Sequence, residues 1–65
     1  MTVCKMLKQA ILNNGEMLQA WEMQDKYSER KRYEVTVSNN GLAYSVYPCA
    51  RTTWRKRFNE VCAAY

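Results

Sequence analysis

The chain predicts a small single α+β domain: N-terminal helical segments, one antiparallel β-hairpin, and a C-terminal amphipathic helix packed on the hairpin. Three observations carry that expectation. Two alternating segments flank Asn39-Asn40-Gly41, the C-terminal residues hold an apolar stripe at helical spacing, and residues 2–12 repeat apolar side chains every three or four positions. With 65 residues, one domain is the limit. A core of that size rarely supplies more than about 3–5 kcal/mol unaided.

In residues 2–12, Val3, Leu7, Ala10 and Ile11 follow the i, i+4, i+7, i+8 spacing of a helix, with Lys5 and Lys8 outside and Thr2 as cap. Asn13-Asn14-Gly15 reads as the stop, because Gly takes the left-handed conformation that closes a helix. Residues 16–27 are nearly all good helix formers, with Met17, Ala20, Trp21 and Gln24 on one side. A strand alternative exists there. Met17, Trp21 and Met23 share parity, and Asn14-Gly15 can turn a hairpin. Glu, Gln and Ala are poor strand residues, so helix is preferred.

The hairpin pairs residues 32–38 with 42–47. With Asn40-Gly41 as a two-residue turn, Val37 faces Tyr44, Val35 faces Val46 and Tyr33 faces Pro48. All six then share one side, leaving Glu34, Thr36, Ser38, Ala43, Ser45 and Tyr47 on the other. Pro48 lacks a backbone donor and ends the second strand. The last helix runs from about Thr53 to the C-terminus, with Thr52 as cap and Trp54, Phe58, Val61, Cys62 and Tyr65 as its apolar stripe.

If residues 17–24 form a strand, the domain becomes αβββα with a three-stranded antiparallel sheet. That element order resembles a double-stranded-RNA-binding domain, a family that sets lysines at the start of its final helix against phosphates. The resemblance implies that role for Arg51, Arg55 and Lys56. Ala50-Arg51-Thr52-Thr53-Trp54 stands where the family has Ser-Lys-Lys-x-Ala, and its Gly-Pro-x-His loop has no counterpart.

Ten Lys and Arg against six Asp and Glu give +4, and the excess is localised in residues 26–34 and 51–65. The expected hairpin gathers Arg30, Lys31, Arg32, Arg51, Arg55 and Lys56 at its open end, with Tyr47 nearby as a stacking aromatic. Cations near a helix N-terminus are disfavoured by about 0.3–1 kcal/mol each. A phosphate backbone or an acidic protein surface relieves that repulsion. The seven residues Arg30, Lys31, Arg32, Tyr47, Arg51, Arg55 and Lys56 are therefore the candidate nucleic-acid contacts. The plainer alternative is a solvated basic face balanced by Glu29, Glu34 and Glu60.

Enzyme chemistry, metals and cofactors are not expected. The sequence has no His, which removes the usual general base and metal ligand. Cys4, Cys49 and Cys62 lack paired ligand spacing, and the carboxylates are scattered. Cys49 precedes a basic helix start, a setting that favours thiolate. Cys62-Ala63-Ala64-Tyr65 has C-a-a-X geometry, but its place on the apolar stripe makes Cys62 a core thiol. No apolar run approaches the roughly 18 residues of a membrane helix, no signal peptide is evident, and three cysteines fit a reducing cytoplasm. The expected function is a small non-enzymatic accessory protein that binds nucleic acid through the basic patch. The alternative is a protein-binding regulator or inhibitor docking through its hairpin edge or its Trp21/Met23 surface. A two-stranded sheet is marginal alone, so a homodimer through hairpin edges is also expected.

Overall fold

The computed structural model describes residues 2–27 and 29–65. Among these residues are four antiparallel strands in one sheet and a single helix: β1 Thr2–Ile11, β2 Met17–Asp25, β3 Lys31–Asn39, β4 Leu42–Cys49 and α1 Trp54–Ala64. The sheet order is β1-β2-β3-β4, and α1 crosses one face against β2, β3 and β4. The N-terminal helices expected at 2–12 and 16–27 do not form, and the three-stranded alternative is also incorrect. With ββββα as the element order, the likeness to a double-stranded-RNA-binding domain does not hold.

A bulge explains the helix-like spacing of β1. Met6 pairs with Trp21 and Lys8 with Ala20, so Leu7 is an extra residue in β1. Cys4 and Met6 lie on one face; past the bulge, Gln9 and Ile11 continue it. The two-residue alternation slips to three at that point, which imitates helical spacing. Asn13-Asn14-Gly15 is a hairpin loop, not a helix stop. Gly15 N–H donates to Leu12 C=O at 2.9 Å and Leu12 N–H to Glu16 C=O at 2.8 Å. Gly15 takes φ +87°, as the final position of such a loop requires. In β2 the parity of Met17, Trp21 and Met23 is the true signal, and Ala20 is wholly buried beside Val35. Tertiary burial overrides the weak strand preference of Glu, Gln and Ala.

The turn at Asn40-Gly41 forms as expected, with φ +53° and +83° and Asn39 opposite Leu42. The register beyond it is corrected. Ser38 pairs with Ala43 but Val37 with Ser45, so Tyr44 bulges out of β4. Val35 therefore faces Tyr47, Thr36 faces Val46, and Tyr33 faces Cys49. Val46 and Tyr44 are exposed, and Tyr47 and Cys49 pack against the core.

That core lies between sheet and helix: Leu12, Leu18, Ala20, Val35 and Val37 under Phe58 and Val61, flanked by Leu7, Ala10, Trp54 and Tyr65. Burying one side chain of this kind is worth about 1.5–3 kcal/mol. The helix stripe holds except at Cys62, which is exposed rather than buried. The N-cap is Thr53, not Thr52, and its side chain makes no cap hydrogen bond. Its hydroxyl instead accepts from Ala50 N–H at 3.0 Å, fixing the β4–α1 corner.

Candidate functional site

The seven candidate residues do not share one patch. Lys31 and Arg32 are adjacent in β3 and point to opposite faces. Lys31 lies on the helix side, 3.3 Å from Glu22; Arg32 lies on the open side, 3.6 Å from Asp25. Arg30 belongs to the β2–β3 connection and already has an interaction. Tyr47 is on the helix side rather than the polar face, half-buried, with the Arg57 guanidinium 6.0 Å from its ring centre. Its packing in the core follows from the Tyr44 bulge. Arg51, Arg55 and Lys56 remain exposed around the start of α1. Among the described residues, none of these three has a carboxylate within ion-pair distance.

Three further cations join them. Lys5 sits opposite Glu22 on β1. The ammonium of Lys8 lies 4.9 Å from the Phe58 ring centre, and Arg57 reaches Glu60 at 3.5 Å. A helical reading of residues 2–12 directs Lys5 and Lys8 to solvent and away from the helix-side cations. A strand with one bulge brings both to the helix side. Its signal was the three-residue interval from Lys5 to Lys8 across Leu7.

Seven of the ten cations thus stand on the helix-bearing side: Lys5, Lys8, Lys31, Arg51, Arg55, Lys56 and Arg57. Four carboxylates accompany them, Glu16, Glu22, Glu29 and Glu60. The open side holds Arg32 against Asp25 and Glu34. One side is net basic and the other close to neutral.

Leu7, Glu22, Tyr33, Arg51, Thr52, Trp54 and Arg55 line an open groove of about 470 Å³ where α1 meets the sheet. Arg55 stacks on Trp54 at 5.2 Å, which holds the guanidinium at the rim. The anchor is Glu22. Partial burial pushes its carboxyl up, but the Tyr33 hydroxyl donating at 3.1 Å and the nearby Lys31 and Lys5 outweigh it. Glu22 stays below its ordinary range. It therefore remains charged and fixes Lys31 beside the groove.

The chain matches no family model, and no curated protein or solved structure is significantly similar to it. The setting of Cys49 does not favour thiolate. Burial raises its thiol, outweighing the pull of Arg57, and its Sγ lies 3.1 Å from the Tyr47 carbonyl. Among the described residues, no three His, Cys, Asp or Glu side chains converge as a metal site. Nor is any helix there long and apolar enough to cross a membrane.

Proposed function

We propose that the protein is a non-enzymatic accessory factor that binds nucleic acid through phosphate contacts on its helix-bearing side. The observation that supports this reading is the sidedness of charge, seven cations against four carboxylates around α1. Arg51, Arg55 and Lys56 are its centre. They crowd a helix start that has no acidic residue in its first turn, so an approaching phosphate meets cations and backbone N–H dipoles together. Lys5, Lys8, Lys31 and Arg57 extend the surface along the sheet and helix. Contacts of this kind position a duplex without reading its bases. The expected binding is weakly sequence-dependent and steeply salt-dependent.

Fluorescence anisotropy with labelled duplex DNA, duplex RNA and single strands, at low and moderate salt, tests the reading. Wild type binds at low salt and is released as salt rises. Arg51→Glu, Arg55→Glu and Lys56→Glu combined abolish binding while thermal melting shows a folded protein. Absence of any binding at low salt overturns the reading, as does undiminished binding by a folded triple variant. The protein-docking alternative draws on the opposite side of the sheet, where apolar residues lie outside the cover of α1.

A further inference from the structure

The face of the sheet turned away from α1 is apolar where an antiparallel sheet normally meets water with polar residues. Its rows run Cys4-Met23-Arg32, Met6-Trp21-Glu34-Pro48, Gln9-Gln19-Thr36-Val46 and Ile11-Met17-Ser38-Ala43. Ile11 is 72% exposed and Val46 51%, and Cys4, Trp21, Met23, Ala43 and Val46 line a shallow groove there. Most polar groups on this face are already partnered within it. The Trp21 indole N–H donates to Thr36 Oγ1 at 3.2 Å, the Gln19 amide to Gln9 Oε1 at 3.3 Å, and the Ser38 hydroxyl lies 3.5 Å from the Met17 carbonyl. The face can be dried without orphaning those donors, which removes the usual penalty for burying polar atoms.

We infer that a second copy of this chain covers the face, two sheets packing back to back with the helices outermost. Charge is the first argument. Arg32, which also reaches Asp25 at 3.6 Å within the chain, and Glu34 stand two residues apart on interior strand β3 and point to this face. A two-fold axis between them sets Arg32 of each copy against Glu34 of the other, a self-complementary pair of the kind an isologous interface requires. Area is the second argument. Four strands about 4.8 Å apart and about 30 Å long present roughly 570 Å² in plan. Two such faces together exceed the roughly 1,000 Å² that a specific interface needs.

Sedimentation velocity across the micromolar range reads the outcome. The wild-type chain sediments at twice its 7.7 kDa mass and dissociates on dilution. Arg32→Glu alone or Glu34→Arg alone weakens association by about tenfold or more, since like charges then meet in the interface; the double exchange restores it. Met6→Lys with Val46→Lys, both at exposed positions, leaves a folded monomer. A wild type that stays monomeric throughout overturns the inference. So does a dimer that survives Met6→Lys with Val46→Lys, because strand-edge pairing does not use this face. The cations proposed to meet phosphate lie on the other side, so neither result bears on nucleic-acid binding.

Discussion

Single residues set the turns and the charge of this fold. Gly41 holds φ +83°, and a Cβ added there meets nothing within 4 Å. Gly41→Ala therefore suffers from backbone conformation alone, and urea denaturation is expected to show a loss of about 1–2 kcal/mol. A loss well outside that range would mean that neighbouring contacts at the turn matter. Glu22 makes a pH prediction. Its folded pKa lies below the ordinary 4.5 despite partial burial, because Tyr33, Lys31 and Lys5 favour the charged carboxylate. A depressed carboxyl contributes stability that is fully present above the unfolded value and disappears as pH falls through the folded one. Wild type should thus lose melting temperature below about pH 4.5, and Glu22→Gln should flatten part of that decline. Parallel profiles for the two proteins would show that Glu22 does not carry it.

At the scale of elements, two bulges decide which side chains are inside. The turn at Asn40-Gly41 was legible because both positions need positive φ and the residue types advertise it. The register of β4 was not. One extra residue, Tyr44, exchanges the faces of β4, so the apolar alternation of Leu42, Tyr44 and Val46 favours a register the structure does not keep, and all three are exposed. The exposed Tyr44 ring is directed toward Glu16 and Tyr65, and the nearby carboxylate raises its phenol well above its ordinary range. Leu7 does the same to β1, where a broken alternation passes for a helix. The C-terminal stripe was legible because Phe58 and Val61 have no competing period. Of the candidate contacts, the grouping of Arg51, Arg55 and Lys56 was legible because they come directly after β4, at the helix start. Tyr47 changes face because the Tyr44 bulge reverses the parity of β4, whereas Arg32 keeps the expected face of β3 and is separated from Arg51 and Arg55 because they lie on the helix side. A paired substitution checks the register. Val35 is fully buried, so Val35→Thr buries a hydroxyl and should cost about 1–3 kcal/mol. Val46→Thr on the open face should stay within about 0.5 kcal/mol in monomeric protein. Equal losses in chemical denaturation would return Val46 to the core.

At the scale of the whole molecule, the sheet separates two surfaces with different physics, a basic one around α1 and an apolar one behind it. The four strands within one chain also change the assembly question. The free edge of β3 is taken by β2, so the hairpin has no need of a second hairpin to widen its sheet. If copies join through the open faces, their basic sides point in opposite directions, since the two-fold axis lies in the interface plane. A dimer of that form cannot lay both cation clusters on one straight, short duplex. It bridges two. Mixing donor-labelled and acceptor-labelled short duplexes with the protein at low salt should therefore produce energy transfer at dimer-forming concentrations. The signal should vanish with Met6→Lys and Val46→Lys, although each monomer still binds a single duplex. Each bound side that engages three or four phosphates gives a log–log salt slope of about −3 to −4 on duplex DNA. Both sides of a dimer should show that same slope, because they act on separate duplexes. A slope near twice that value on a single short duplex, without energy transfer, would place both clusters on one target and contradict the back-to-back arrangement.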